Sequence, residues 1–381
     1  MHCSTLIPLG AIAFARLAMS SYVLVEDMEA GTGNFFDHFD FFTDTDPTNG
    51  YVNYLSYDDA LELGIILDSG TTYMGVDWTH TATDPGRKST RIYSKNTYNH
   101  GLFILDLEHM PASICGTWPA FWLLGTPTWP TDGEMDIIEG VNTQVGNDMT
   151  GHTEGDCYIE GSYFTGELTH DNCNTAVDSN TGCQINSESD APYSYGTNFN
   201  SAGGGVYAVE WTSDLFSIWH WREQYVPDGT TTGSPTPDTW GEPLAQFDLS
   251  CTIDDRFIDM EIVFDMTFCG DWAGSVWSEY STCAALSSSC ETYVRDNAAA
   301  FEASYWNVNS LQVFQDSSDD DASVTALNSL MKNVTATQIL ENGMVAIPKE
   351  GNSTTTRKRG ARSKRSREAH VGHKRHGHGQ I

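Results

Sequence analysis

Apolar and polar residues alternate with a period of two along many short segments between Tyr22 and Gln315, and this pattern restricts the fold more than any other feature. In the clearest segment, FIDMEIVFDMTF at 257–268, apolar residues share one parity and polar residues share the other. Successive side chains of a β-strand point to opposite faces of the sheet. The segment therefore predicts a strand with one buried face.

Other segments repeat the pattern. VYAVEW (206–211) and LFSIWHW (215–221) alternate around three turn residues, which predicts a β-hairpin, and LFILDLEHM (102–110) alternates as well. Only residues 57–63 and 290–300 look helical. Many short strands without a repeating helix predict an all-β fold, an antiparallel sandwich or barrel. We expect one domain over residues 22–315.

The two ends of the chain differ from this region. Residues 1–21 are mostly apolar, with Ala-Phe-Ala at 13–15, which is typical of a signal peptide and its cleavage site. Residues 316–381 begin with an acidic cluster, continue rich in Ser, Thr and Asn, and end basic and His-rich. Such a composition cannot build a core, so we expect a disordered tail.

Charge is distributed unevenly. Residues 357–381 hold nine of the 19 Lys and Arg residues and one of the 52 acids, which leaves ten basic and 51 acidic residues for the rest. That part of the chain would repel phosphate, so nucleic acid is not an expected partner. No segment after the leader reaches the roughly 18 apolar residues of a membrane span, and none is expected.

The chain contains nine cysteines. Removal of the leader with Cys3 would leave eight, an even number that fits four disulfide bonds and an oxidising compartment. We therefore expect a secreted protein. The pairing of the eight cysteines cannot be derived from their spacing.

The segment GEMDIIEG, residues 133–140, carries three carboxylates within six positions, those of Glu134, Asp136 and Glu139. Acids this close repel one another and are costly to bury. Three interpretations stay open at this point. The acids form a site for a hard cation, a catalytic pair with pKa values driven apart by proximity, or an acidic strand edge without special function.

A regular strand would place Glu139 on the face opposite to Glu134 and Asp136. One β-bulge between Asp136 and Glu139 adds a residue and restores the phase. We therefore predict a bulge at Ile137 or Ile138, with all three carboxylates on one concave face. There the two glutamates can lean toward the roughly 5 Å separation found in retaining glycosidases.

Tryptophans accompany the acids along the sequence. Three of them, Trp118, Trp122 and Trp129, lie just upstream, and Trp272 occurs in GDWAG. Core packing explains any single tryptophan well. Three within 12 residues of one another, beside a carboxylate triplet, favour a groove in which indole faces stack on the sugar rings of a polysaccharide.

The motifs of the chain, taken together, strongly resemble those of the fungal secreted laminarinase-type enzymes of glycoside hydrolase family 16. The resemblance rests on NFFDHFDFF (34–42), YNHGLFILDLEHMP (98–111), GTWPAFWLLG (116–125), GEMDIIEGVN (133–142), FCGDWAG (268–274) and ASYWNVNSLQVFQ (303–315). It implies an antiparallel β-jelly-roll sandwich, concanavalin-like, with an open concave substrate cleft. It also implies endo-acting, retaining hydrolysis of β-1,3- or mixed β-1,3/1,4-glucan without a cofactor or metal.

The resemblance extends to single residues. It places Glu134 at the position of the nucleophile, Glu139 at that of the acid/base and Asp136 at that of the assisting carboxylate. The substrate-binding positions that it implies are His152, Trp122, Trp129, Trp272 and Arg91.

The expected partner is a β-glucan polysaccharide, and we expect a monomer. The same acids could instead pass a glycosyl group to another sugar, as in a cell-wall glucan transglycosylase, because only the competition between water and an acceptor sugar differs. A third possibility, a non-catalytic glucan-binding module, fits less well with three intact carboxylates.

Overall fold

The computed structural model describes residues 22–188 and 191–316. The leader expected in residues 1–21 and the tail expected after Asp316 lie outside the described residues. Asp316 itself, which we assigned to the tail, is the last residue of a strand.

Strands dominate the regular structure. In chain order they are β1 (Tyr22–Glu29), β2 (Phe39–Phe41), β3 (Val52–Tyr54), β4 (Ile66–Asp68), β5 (Thr72–Met74), β6 (Arg87–Ser89), β7 (Arg91–Ser94), β8 (Gly101–His109), β9 (Thr117–Leu124), β10 (Glu134–Glu139), β11 (Asp148–His152), β12 (Glu167–His170), β13 (Cys183–Asn186), β14 (Gly205–Trp211), β15 (Leu215–Arg222), β16 (Ala245–Asp248), β17 (Glu261–Phe268) and β18 (Trp306–Asp316). The α-helices are α1 (Tyr57–Glu62), α2 (Gly196–Ser201), α3 (Ser281–Leu286) and α4 (Cys290–Asp296).

Sixteen of the strands form two antiparallel sheets of eight strands each, and β3 and β6 form a small parallel sheet. The first has the order β16–β15–β14–β8–β18–β5–β4, with β1 also paired to β18, and the second has the order β12–β13–β11–β10–β9–β17–β7–β2. One hydrophobic core receives Phe103, Val209 and Leu311 from the first sheet and Leu123 and Phe264 from the second. This confirms the predicted all-β, antiparallel jelly-roll sandwich.

Most of the predicted elements are present. The predicted hairpin is formed by β14 and β15, and residues 102–110 coincide with β8. The two predicted helices are α1 and α4, although α4 stops at Asp296 and a 3-10 turn, Ala298–Phe301, follows it. The six-residue helices α2 and α3 were not predicted, because so few turns leave no readable apolar period. No helix in the described ranges is long and apolar enough to cross a membrane.

Strand β17 departs from its prediction. Its apolar residues Ile262 and Phe264 face the core between the sheets, as expected. The expectation of a single buried face is wrong, however, because Asp265 and Thr267 on the polar face are buried as well. Alternation reports which residues share a face, but it does not report whether other chain segments cover that face.

All eight cysteines of the described residues form disulfide bonds, which confirms the expected number. The pairs are Cys115–Cys283, Cys157–Cys251, Cys173–Cys183 and Cys269–Cys290. The first and last of these pairs connect the start of β9 and the end of β17 to α3 and α4.

Candidate active site

Strand β10 contains the predicted bulge, and Ile137 is the extra residue. Asp136 pairs with Trp122 of β9, whereas Ile138 pairs with the adjacent β9 residue, Phe121. Strand β10 therefore advances by two residues while β9 advances by one. Both isoleucines are buried in the core between the sheets.

The bulge brings the three acids to one face of the second sheet. Glu134 lies opposite Leu124 and Glu139 lies opposite Ala120, while Asp136 pairs with the residue midway between these two. These three β9 residues are alternate residues of one strand and therefore share a face, so the acids that pair with them share that face as well. Glu139 is thus returned to the side of the other two acids, and this face points away from the core between the sheets.

A fourth carboxylate, that of Asp265, lies on the same face. Asp265 of β17 pairs with Ala120 from the side opposite to Glu139. Glu134, Asp136 and Asp265 are 2%, 3% and 7% exposed, so the face is covered although it lies outside the core. Asp265 was not identified from the sequence as a site residue, although its place among the polar residues that alternate with apolar ones in 257–268 could have indicated it.

Arg91 of β7 supplies positive charge behind the acids. Its Nη1 lies 3.7 Å from Oδ2 of Asp265 and 3.8 Å from Oδ1 of Asp46. The guanidinium also lies 5.0 Å from the ring centroid of Trp122, a cation–π contact. Arg91 is only 5% exposed and these contacts are to protein groups, so its predicted bond to a sugar hydroxyl stays a prediction.

The structure brings His152 to the acids. His152 of β11 pairs directly with Glu134 across the sheet. Its Nε2 atom lies 3.5 Å from Oδ2 of Asp136 and 3.8 Å from Oε1 of Glu134. Both contacts are longer than a direct hydrogen bond. The imidazole therefore adjoins two of the carboxylates at once.

Tryptophan side chains contact both glutamates. The indole N–H of Trp118 donates a 2.8 Å hydrogen bond to Oε1 of Glu139, and the indole of Trp129 lies close enough to Glu134 to lower the pKa of that carboxyl. Trp272 packs edge to face against Trp118, with their ring centroids 5.6 Å apart. The sequence predicted that Trp118 lies near the acids, but it did not predict the bond to Glu139. That bond depends on which residues of β9 and β10 are paired.

Burial controls the protonation of the glutamates. It raises the pKa of Glu139 well above its usual range, the charge of Asp136 raises it further, and Trp118 partly offsets both. Burial also raises the pKa of Glu134, as does the charge of Glu139, whereas Arg91 and Trp129 lower it. Arg91 thus favours an ionised Glu134, while Glu139 retains its proton more easily.

Asp136 completes this group of interacting acids. Burial raises its pKa well above the usual range, and the charges of Glu134 and Asp265 raise it further. Buried carboxylates this close cannot all be ionised near neutral pH. The site can therefore hold one carboxylic acid and one carboxylate side by side, which general acid and nucleophilic catalysis require.

The same geometry also admits a cation. Glu134, Asp136 and His152 each offer one ligand atom, and these atoms lie within 4.8 Å of one another. A hard cation such as Ca²⁺ prefers six to eight oxygen ligands, so two carboxylates and a nitrogen suit it poorly. The arrangement fits a proton-transfer site better than a site for such a cation.

Comparison with known proteins gives related sequences and structures. The profile of the XgeA-like catalytic GH16 domain matches residues 39–314. A probable endo-1,3(4)-beta-glucanase of Aspergillus niger is 42% identical over 339 residues, which cover 86% of this chain and 45% of that protein. The chain spans about half the length of such curated relatives.

Two solved structures share the fold at substantial identity. An elongating GH family 16 beta-1,3-glucosyltransferase is 42% identical with a TM-score of 0.72, and the match covers 77% of this chain and 100% of that one. Laminarinase 16A from Phanerochaete chrysosporium, solved with β-glucans in its donor and acceptor sites, is 37% identical with a TM-score of 0.72, covering 77% and 99%. The chain therefore belongs to glycoside hydrolase family 16, as an XgeA-like catalytic domain.

Proposed function

We propose that this domain is a retaining endo-glucanase that hydrolyses internal β-1,3 or mixed β-1,3/1,4 linkages of glucan by double displacement. The observation that carries the proposal is the bulge at Ile137, which places Glu134, Asp136 and Glu139 on one face beside tryptophans. The name of the A. niger relative and the glucan-bound laminarinase support the substrate class.

In the first step, ionised Glu134 attacks the anomeric carbon while Glu139 donates its proton to the departing glycosidic oxygen. The bond between the anomeric carbon and that oxygen breaks, and a covalent glycosyl-enzyme forms. Burial raises the pKa of both glutamates, but the charge of Arg91 lowers that of Glu134 whereas the charge of Asp136 raises that of Glu139 further, and this difference supports the division of roles.

In the second step, ionised Glu139 removes a proton from a water molecule, and the resulting hydroxide attacks the anomeric carbon. Glu134 leaves as a carboxylate and the β configuration is restored. Asp136 lies between the two glutamates along β10, where its charge raises the pKa of Glu139. Small side-chain movements would bring Nε2 of His152, which lies 3.5 Å from Oδ2 of Asp136, close enough to share a proton with that carboxyl.

We propose further that Trp122, Trp129 and Trp272 line the glucan subsites. Trp129 and Trp272 are partly exposed, so sugar rings can reach their indoles. Trp122 is only 6% exposed and already stacks with Arg91, and it would form the floor of the cleft rather than a wall.

Product analysis tests the proposed function. The wild type and Glu134→Gln are incubated with laminarin, lichenan and carboxymethyl cellulose, and the products are separated by chain length. We expect the wild type to shorten laminarin to oligosaccharides of several lengths, and Glu134→Gln to be inactive while keeping its fold. Wild type without activity on laminarin and lichenan, or a Glu134→Gln variant with the wild-type rate, would contradict the proposal.

Transglycosylation is the second candidate, and the match to the elongating glucosyltransferase favours it. The glycosyl-enzyme would then be intercepted by the hydroxyl group of an acceptor sugar instead of water. The same laminarin digest separates the candidates, because hydrolysis increases the number of reducing ends whereas transfer lengthens some chains and leaves that number constant.

We propose also that the protein acts outside the cell and as a monomer. Four disulfide bonds over the described residues support an oxidising compartment. Detection of the protein in the culture medium, and its mass by light scattering in solution, test these two points. Retention inside the cell with free thiols would contradict the first, and a stable dimer would contradict the second.

A further inference from the structure

Beyond Asp136, the backbone of β10 pairs with β9 but not with β11. Strand β10 pairs with β11 only from Glu134 to Asp136. Beyond that point a side chain replaces the partner strand. The Nδ2 atom of Asn147 donates a 2.7 Å hydrogen bond to the carbonyl of Ile137, and its Oδ1 atom accepts a 2.8 Å hydrogen bond from the N–H of Glu139.

Asn147 is itself firmly anchored. It is fully buried, its N–H donates to Oγ of Ser187 over 2.8 Å, and its carbonyl accepts from the N–H of Ser187 over 3.0 Å. The Ser187 hydroxyl is bonded to that of Ser194, whose carbonyl accepts a hydrogen bond from Tyr207 of β14. The amide group that holds the bulge is therefore connected to both sheets of the sandwich.

Glu139 is thereby fixed at both ends. Asn147 holds its backbone N–H, and Trp118 holds its carboxylate. Loss of the Asn147 amide would leave the carbonyl of Ile137 and the N–H of Glu139 without these hydrogen bonds, and a buried polar group without a partner destabilises the conformation that holds it. The strand could recover part of that cost by shifting the bulge, and any shift there moves Glu139 more than Glu134, which is held by β11.

Resting on the proposed function, we infer that Asn147 is a positioning residue for the acid/base step, because it holds the bulge that aims Glu139 at the glycosidic oxygen. Asn147 touches neither of the two glutamate carboxylates in its described contacts, so it acts through the backbone. The nucleophile, Glu134, lies three residues before the extra residue and does not depend on this clamp.

The test compares two substrates with Asn147→Leu. Laminarin needs a proton on its leaving group, whereas the dinitrophenolate of a 2,4-dinitrophenyl β-laminaribioside leaves without one. We expect kcat/KM on laminarin to fall about 100-fold, since a misplaced general acid costs about that much. We expect kcat/KM on the aryl glycoside to change by less than about 5-fold, because this step needs only Glu134.

Azide gives a second readout. It attacks the glycosyl-enzyme without needing a general base, so it should restore turnover of the aryl glycoside by Asn147→Leu and yield a β-glycosyl azide. The wild type should show little acceleration by azide. A purely structural defect would not be repaired by a small nucleophile.

Asn200→Leu is the matched control. The Asn200 amide clamps both backbone groups of Met110 in the same way, with bonds of 3.0 and 2.8 Å, but beside β8 of the first sheet. This variant should lose stability without changing the ratio of the two kcat/KM values. Asn147→Asp, which keeps the acceptor for Glu139 and loses the donor to Ile137, should change the ratio in the same direction as Asn147→Leu.

Equal losses on both substrates, or no loss on laminarin, would overturn the inference. If Asn147→Leu does not fold, Asn147→Asp decides by the same ratio. A wild type that cleaves neither substrate would refute the proposed function instead, and that result is recognisable before any variant is made.

Discussion

The indole N–H of Trp118 donates a hydrogen bond of 2.8 Å to Oε1 of Glu139, and this contact joins β9 to the acid that ends β10. A hydrogen bond to a carboxylate favours its charged form. The bond therefore holds the pKa of Glu139 below the value that burial alone would give. In the proposed mechanism Glu139 must both keep and release its proton, and the bond from Trp118 would adjust this balance.

Trp118→Phe removes the donor and keeps most of the ring. The pKa of Glu139 should then rise, so the alkaline limb of the kcat/KM profile on laminarin should move to higher pH. Trp219→Phe is the control, because it loses an indole bond to the carbonyl of Gly241 in the first sheet. A limb that moves to lower pH in Trp118→Phe would contradict this assignment.

The pKa of Asp265 is raised to about 7, because burial outweighs the opposing effects of Arg91 and Trp122. A carboxyl whose pKa rises on folding stabilises the native state most below its unfolded pKa of about 4, and this contribution is lost as the pH rises through about 7. Asp265→Asn cannot ionise. Its free energy of unfolding relative to wild type should therefore increase between about pH 4 and about pH 8, by at most about 4 kcal/mol.

Urea unfolding at the two pH values measures this difference. Glu62→Gln, which changes an exposed acid of α1, should show almost no such increase. If Asp265→Asn loses stability relative to wild type as the pH rises, Asp265 is ionised in the folded protein and its raised pKa is wrong.

Chelation separates the catalytic interpretation of the acids from the cation interpretation. If Glu134, Asp136 and His152 form the proposed proton-transfer site, treatment with excess EDTA should leave both the Tm and the rate on laminarin unchanged. A Tm that falls by several degrees with EDTA and returns with Ca²⁺ would instead support a structural cation bound by these side chains.

Trp272 is expected to bind glucan at the side of the cleft near Glu139. Trp272→Ala should raise the KM for laminarin about 10-fold, which corresponds to about 1.4 kcal/mol, with a much smaller effect on kcat. Tyr225→Ala is the control and should leave KM unchanged. It removes an aromatic ring that is 59% exposed and lies in the turn directly after β15 of the first sheet. An unchanged KM in Trp272→Ala would exclude Trp272 from the subsites.

The sequence alone was sufficient to predict the sandwich, the long strands and the bulge. The bulge could be predicted because a strict period of two would place Glu139 on the face opposite to Glu134 and Asp136, whereas a joint site needs all three acids on one face. One added residue brings them together. The register then showed that Ile137, rather than Ile138, is the extra residue. Only the pairing with Trp122 and Phe121 distinguishes these two positions.

The remaining features depend on contacts between distant segments. Asp265 has the polar parity of an exposed residue, and its burial depends on the aromatic side chains that cover that face. The amide of Asn147 reaches the bulge only because residues 140–147 fold back along β10. The four disulfide pairs likewise join residues that no spacing rule relates.

The division of roles between the two glutamates is the central claim, and Glu134→Ala tests it most directly. With 2,4-dinitrophenyl β-laminaribioside, this variant should be inactive in buffer, and added azide should restore turnover with an α-glycosyl azide as the product, identified by NMR. The inverted configuration is required because azide takes the place of the missing nucleophile on the same face of the sugar. A β-glycosyl azide, or wild-type turnover without azide, would contradict Glu134 as the nucleophile.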